Sequence, residues 1–292
     1  MLTEIRDLLA HHVDDPGRFA AVGVRRYVET APTPPMPLLY RKALYVVVQG
    51  AKQLRIGDRV VGYRGGELVT CGIDLPALAQ VTGASAAEPY LAVELPIDRE
   101  QLTGLAAELP ALSFEDDGAV SVHPAGPAVL EPLLRLLRLA DDPVDAKVLA
   151  AGVRRELLHR VLSGPGGAAL LQLARADSVL GRIGHCTTWL REHVDAPVDV
   201  ARLAERAGMS ATTFHRHFKT ATGTTPVRFH KQARLHEARR LVVADADALA
   251  RIASAVGYAS ASQFSRDYKR MFGVAPIRDT ARSGARGASG AG

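Results

Sequence analysis

Two stretches near the C-terminus decide how this chain reads: LAERAGMSATTFHRHFKTATGTTP, Leu203 to Pro226, and IASAVGYASASQFSRDYKRMFGVAP, Ile252 to Pro276. Phe214, Arg216, Lys219, Gly223 and Pro226 recur as Phe264, Arg266, Lys269, Gly273 and Pro276, each 50 positions on. In the first copy Asp199 is a predicted N-cap for VARLAERA, and Gly208 ends that helix. Ser210 then opens a second helix, ATTFHRHFKTAT, which Gly223 closes. At about 100° per residue, Ala211, Phe218, Ala221 and Thr222 fall on the side of Phe214. Thr212, Arg216, Lys219 and, at the edge, His215 fall opposite. The second copy gives an inward set of Ala261, Phe264, Tyr268, Met271 and Phe272, and an outward set of Ser262, Arg266, Lys269 and, at the edge, Ser265. Ser260 and Gln263 stand in capping-box spacing at its start. Both copies read as a helix-turn-helix.

The outward faces suit the major groove of double-stranded DNA. An arginine can bond guanine O6 and N7 in bidentate fashion, and a hydroxyl adapts to either base type or to phosphate. The predicted base-reading residues are Thr212, His215, Arg216, Ser262, Ser265 and Arg266. Lys219, Lys269 and Arg270, further along, are predicted phosphate contacts that position the protein without reading sequence. His215 and His217 point about 200° apart on a helix and cannot share a metal ion.

Between the copies runs PVRFHKQARLHEARRLVV, Pro226 to Val243, with Thr225 before it as a cap. Val227, Leu235, Leu241 and Val242 cluster around Ala238, while Phe229 and Ala233 form a second apolar patch. A helix apolar on two sides can pack against both units as a rigid spacer. It would let two recognition helices enter successive major grooves about 34 Å apart.

Charge follows the repeat. The chain of 292 residues carries a net +5, yet from Ser178 onward it holds 18 Lys and Arg against 9 Asp and Glu, while the first 177 residues hold 18 against 22. Only the C-terminal part has the footprint of a polyanion binder.

The N-terminal part reads differently. Met1 to His12 is a predicted amphipathic helix, and ETAPTPPMP, Glu29 to Pro37, is too proline-dense for a helix or a central strand. Short β-rich runs follow, LYVVVQG, KQLRIGDRVVGY, GELVTCG, LAQVTGA and YLAVELP, with a hairpin-like turn at Ile56-Gly57-Asp58-Arg59. They predict a small barrel or jelly roll over Arg41 to Pro96, whose interior is the usual place for a small ligand. REQLTGLAAEL, GPAVLEPLLRLLRL and DAKVLAAGVRRELLHRVL have helical spacing, including Leu149, Val153, Leu157 and Val161. These helices either only pack on the barrel or also supply a dimer seam. SGPGG, Ser163 to Gly167, reads as a flexible joint, and a second boundary falls near Ala176 to Ser178.

The C-terminal motifs, over about Ser178 to Ala281, resemble those of the AraC/XylS family of bacterial transcription regulators, the second motif most specifically. LYVVVQGAKQLRIGDRV, CGIDLPALAQV and EPYLAVELPID resemble the AraC-type N-terminal domain of a subgroup of that family. The resemblance implies an α+β chain: a cupin-like β-barrel with flanking helices over 1–177 for sensing or dimerisation, then an all-α domain with two helix-turn-helix motifs over 178–281. Residues 282–292 read as a disordered tail. It further implies promoter control, often activation by contact with RNA polymerase, in response to a small-molecule effector. Family base contacts match Thr212, His215 and Arg216, and Ser262, Ser265 and Arg266. The first copy lacks the bulky aromatic that some members carry at the position of Thr212, which leaves its target sequence open.

The competing reading is a cupin-type metal enzyme fused to a DNA-binding domain. It would need converging histidines, and none occurs between His12 and His123. No cofactor or metal is therefore expected. Cys71 and Cys186 are too few for a disulfide framework; Cys71 reads as a packed thiol or, alternatively, an electrophile sensor. No run is long enough to span a bilayer and the start is acidic, unlike a signal peptide, so a cytoplasmic location is expected.

Overall fold

A computed structural model describes residues 1–12, 15, 17–109, 119–175, 177–244 and 249–279. The tail expected at 282–292 lies outside the described residues. Among the described residues, nine antiparallel strands follow a first helix, α1 (Leu2–His11): β1 (Arg25–Glu29), β2 (Met36–Tyr40), β3 (Ala43–Gln49), β4 (Ala51–Ile56), β5 (Arg59–Arg64), β6 (Glu67–Cys71), β7 (Leu75–Gly83), β8 (Tyr90–Pro96) and β9 (Val120–Pro124). They form two sheets, ordered β1-β8-β3-β6-β9 and β2-β7-β4-β5. Every described pairing stays within one sheet, so of the two expected forms, barrel or jelly roll, the closed barrel is not what the strands make: they form an unclosed two-sheet arrangement. β2, which carries Pro37, is an edge strand, where a missing N–H costs no ladder bond.

β3 and β8 are buried almost throughout, which explains their unbroken apolar runs. One face meets the second sheet and the other is covered by helices, α1 packing on β3 with Ile5 and Leu9 fully enclosed. Between the sheets, Lys52 from one sheet points its ammonium at the rings of Tyr27, Tyr40 and Tyr90, 5.7 to 5.8 Å from each centroid. Tyr40 and Tyr63 share a 3.0 Å hydrogen bond, and buried Glu94 accepts from Tyr27 and pairs with Arg25 at 3.1 Å. Burial pushes Lys52 down to about 8 from 10.5, against the pull of Glu29 and Glu94. Lys52 and these tyrosines therefore line the space between the sheets, where the sequence predicts a ligand.

The predicted helices follow as α2 (Arg99–Glu108), α3 (Pro127–Arg138) and α4 (Pro143–Leu162). On α4 the expected stripe divides. Leu157 and Val161 are buried, whereas Leu149 is 46% exposed beside Val144 and Val148, at 69% and 68%. SGPGG is a packed corner rather than a flexible joint. A Cβ on Gly167 would fall 2.1 Å from the Leu162 carbonyl oxygen, and one on Gly166 would fall 3.1 Å from Thr70. Gly166 serves close approach to β6 and β9, and Gly167 close approach to the end of α4.

α5 (Ala168–Ala174) leads into the helical C-terminal part: α6 (Val179–Glu192), α7 (Val200–Arg206), α8 (Ala211–Thr222), α9 (Pro226–Ala244), α10 (Leu249–Ala255) and α11 (Ala261–Phe272). One hydrophobic core runs from the sheets through Ile183, Cys186 and Leu190 of α6 into Phe214 and Phe218. A separate core holds Leu235, Val242, Ile252, Phe264 and Tyr268. The outer face of the four-stranded sheet rests on this part, α9 touching β2 and β7, and α11 touching β2. Asp74 fastens the junction, pairing with Arg191 at 2.6 Å and accepting from the Lys42 N–H at 2.9 Å.

Candidate nucleic-acid interface

Local chemistry sets both helix-turn-helix units. Asp199 accepts from the N–H groups of Ala201 and Arg202 at 2.9 and 3.1 Å, opening α7. Ser210 caps α8 through Thr213 N at 3.3 Å, and Ser260 caps α11 through Gln263 N at 3.4 Å. The turns between helices pass through Gly208 and Gly257 at positive φ, 60° and 77°, a conformation costly for other residues.

The two reading helices then present matching faces. Phe214, Phe218 and Thr222 are buried on α8, as are Phe264 and Tyr268 on α11. Met271, Phe272 and Ala221 are half-buried, while Ala211 and Ala261, expected inward, are exposed on the first turn before the helix meets its core. Thr212, His215, Arg216 and Lys219 are all exposed, as are Ser262, Arg266, Lys269 and Arg270; Ser265 is half-buried. The structure therefore gathers each predicted trio on one outward face. Two residues have additional neighbours: Arg270 lies 3.6 Å from the buried carboxylate of Asp267, and Lys219 borders a cavity against the N-terminal sheets.

α9 fixes the two units to each other. Toward the first, Phe229 meets Phe218 edge to face at 5.6 Å, and His230 Nε2 lies 3.0 Å from the His193 carbonyl oxygen. Arg234 bridges the two, donating to the Gly257 carbonyl of the second at 3.0 Å and to the Ala196 carbonyl just ahead of α7 at 2.8 Å, and Lys231 pairs with Asp267 of the second at 2.8 Å. Arg239 grips Asp279 at 2.8 and 3.2 Å, while Tyr268 donates its hydroxyl to the same carboxylate at 2.7 Å. Ala233, Leu235, Ala238 and Val242 fill both cores, although Val227, expected inward, is exposed.

Apolar periodicity does not reveal these polar clamps. A signal was available for Asp267, which sits about 60° from Phe264 around the helix, on the inward side, where a carboxylate requires a partner. Its counterpart in the first copy, His217, is half-buried.

Burial raises both thiols, Cys186 to about 11 and Cys71 well above its ordinary value. Cys71 Sγ donates to the Ile73 carbonyl at 3.2 Å and is fully buried, as a packed thiol is. Among the described residues, no three His, Cys, Asp or Glu side chains gather as a metal site would require, and no helix is long and apolar enough to cross a membrane.

Residues 20–169, just over half of the chain, match the family described as the AraC-type transcriptional regulator N-terminus. The chain belongs to the AraC/XylS family of transcriptional regulators. Residues 203–282 match a helix-turn-helix domain, spanning both units, so this AraC-family chain is a helix-turn-helix DNA-binding regulator. It is similar to the HTH-type transcriptional activator RhaS of Escherichia fergusonii, 36% identical over 114 residues that cover 37% of this chain and 41% of that protein. RhaS of Salmonella schwarzengrund is 29% identical over 183 residues, 60% of this chain and 62% of the relative. The chain thus spans about two fifths to three fifths of the curated relatives' length. Unsaturated fatty acid-bound ToxT from Vibrio cholerae shares the fold, with a TM-score of 0.61 at 12% identity, covering 88% of this chain and 94% of that one. ToxT of strain O395 gives 0.58 at 12% identity, covering 89% and 97%.

Proposed function

We propose that this regulator reads promoter DNA in the bacterial cytoplasm with two unlike half-sites in a fixed order. Thr212, His215 and Arg216 read base edges in one major groove, and Ser262, Ser265 and Arg266 read the next. Lys219, Lys269 and Arg270 hold phosphates. The observation that carries this reading is the pair of outward faces on α8 and α11, locked to each other by α9. Unlike faces in fixed order make the site directional rather than palindromic.

Residues 1–177 act as a cupin-like sensor and dimerisation domain, and 178–281 as the reading domain. The sensor responds to a small molecule, a role supported by the ligand-bound fold relative. Dimerisation uses the exposed face of α4, where Val144, Val148 and Leu149 stand apart from the core. The output is activation through RNA polymerase, as the named activator relatives suggest. No catalytic role is assigned: the sheets enclose tyrosines and Lys52, and no histidine falls between His12 and His123.

The test uses duplexes selected by the protein from random sequence. Arg266→Ala should relax the preference at one base pair, costing about 1–3 kcal/mol. Lys219→Ala should weaken all duplexes alike and flatten the salt dependence. An unchanged preferred site in the first variant, or an unchanged salt slope in the second, refutes the corresponding role.

A further inference from the structure

The stretch AKQLRIGDRVVGYR, residues 51–64, is a basic island in an acidic N-terminal part. Lys52, Arg55, Arg59 and Arg64 stand there against Asp58 alone, while residues 1–177 as a whole hold 18 Lys and Arg against 22 Asp and Glu. The stretch folds as the β4–β5 hairpin, with β5 at the free edge of the four-stranded sheet. Two of its cations serve the fold: Lys52 turns inward to the tyrosines, and Arg59 donates to the Val120 carbonyl of β9 at 3.4 Å. Arg55 and Arg64 do neither. Arg55 lies opposite Val60 and Arg64 opposite Ala51, so strand alternation sets both on the outer face, away from the inward Leu54, Val61 and Tyr63. Both are exposed, as is Gln53 between them.

The hairpin tip rests on the first reading helix. A Cβ on Gly57 would fall 2.7 Å from the oxygen of Gly223, the residue that closes α8. A recognition helix meets base edges with its N-terminal residues, so the end closed by Gly223 is the end that faces the DNA backbone. Arg55, two positions before the tip contact, borders one cavity with Lys219 of α8 and Arg228 of α9, both exposed. Its charge thus continues the line begun by Lys219. The sheet crosses the reading part from β2, which touches α11, to the β4–β5 tip, which touches α8. Strand β5 therefore lies beyond the first unit, on the side away from the second.

Resting on the promoter reading above, we infer that the β4–β5 hairpin is a third DNA contact, in which Arg55 and Arg64 hold backbone phosphates flanking the half-site read by α8, on the side away from α11. Arg228 joins them to Lys219. Arg55 and Arg64 stand four strand positions apart, about 13 Å. A small anion cannot bridge that spacing, whereas a DNA strand offers a phosphate about every 3.4 Å along the axis. Such contacts carry no base preference. They lengthen the footprint on one side only.

The test is a fluorescence-anisotropy titration of the full chain on the duplex it selects, extended about ten base pairs at each end, between about 50 and 200 mM salt. Each phosphate contact adds about 0.9 to the slope of log affinity against log salt. Arg55→Gln with Arg64→Gln should lower that slope by about 2, so that affinity falls between those salts by about tenfold less than in wild type. The preferred sequence should stay the same. On a duplex cut at the outer edge of the α8 half-site the double variant and wild type should have equal slopes, whereas a cut at the α11 end should preserve the difference. Gln53→Cys carrying an iron chelate keeps the test valid if the double variant misfolds, since the native Cys71 and Cys186 are buried. It should cleave the α8 flank and spare the α11 flank. An unchanged slope on the long duplex, a slope difference that survives the cut at the α8 edge, or chelate cleavage that misses the α8 flank overturns the inference. If Lys219→Ala flattens the slope and the double variant does not, the hairpin role alone fails. If no sequence is preferred while the double variant still flattens the slope, the base-reading role fails and the hairpin contact stands.

Discussion

Two equivalent glycines sit in different surroundings, and exchanging each for alanine measures how firmly the N-terminal domain grips the first recognition helix. Gly223 and Gly273 close α8 and α11 at φ 69° and 77°. Each donates its N–H to the carbonyl of the lysine four residues back, at 2.8 Å. At Gly273 an added Cβ meets nothing within 4 Å. Gly273→Ala therefore carries only the left-handed strain, about 1–2 kcal/mol. At Gly223 the same Cβ falls 2.7 Å from the Gly57 nitrogen and 2.8 Å from the Ile56 carbonyl carbon. These are backbone atoms, so no side chain can turn aside. Either the β4–β5 hairpin backs away or the helix end distorts, at about 1–3 kcal/mol beyond the strain.

Gly223→Ala should accordingly destabilise the chain by about 1–3 kcal/mol more than Gly273→Ala in urea unfolding followed by circular dichroism. Hydrogen exchange at residues 56–59 should speed up in the former variant only. Gly57 is itself at φ 60°, and its own Cβ would fall 2.7 Å from the Gly223 oxygen. The two substitutions open the same contact, so Gly57→Ala with Gly223→Ala should cost less than the sum of the singles. Equal destabilisation by Gly223→Ala and Gly273→Ala, or strict additivity in the pair with Gly57→Ala, would refute the reasoning.

Asp279 is 1% exposed and holds both Arg239 and Tyr268, so Asp279→Ala strands a half-buried guanidinium and should cost about 3–5 kcal/mol; a loss below about 1 kcal/mol in thermal unfolding contradicts that clamp. Lys52 has a folded value of about 8 against 10.5 unfolded. The unfolded chain therefore binds the extra proton between those values, so the Lys52 contribution to stability rises as pH increases from 8 toward 10.5, by up to about 3 kcal/mol. Cys71 and Cys186, with raised values, act in the opposite sense in the same window but are common to both chains, so the stability of wild type relative to Lys52→Met should increase between pH 8 and 9.5 in unfolding experiments; identical slopes refute the assignment. If α4 forms the dimer seam, Val148→Glu should convert dimer to monomer in sedimentation equilibrium, and a wild-type chain that is already monomeric removes that proposal.

The helix caps at Asp199, Ser210 and Ser260, the glycine stops and the paired outward faces were legible in the sequence. Each depends on residues within about four positions, and helical periodicity repeats that signal. Strands β3 to β8 were legible for the same local reason. β9 was not, because its only warrant is pairing with β6 about fifty residues earlier, a long-range match that local pattern does not encode. The choice between a closed barrel and two sheets stayed open for the same reason. Gly166 and Gly167 were misread because glycine serves mobility and close approach alike, and only the neighbouring backbone tells them apart.

By itself the sequence determined the duplicated reading unit, the charge division and the family. Those properties live in short-range spacing and composition. Tertiary structure alone decided that Arg234, Asp267 and Asp279 lock the two units through α9, that tyrosines and Lys52 line the space between the sheets, and that a cavity borders both recognition helices. Each depends on side chains brought together from distant segments, where burial converts an ordinary charged or polar residue into a clamp or a binding surface.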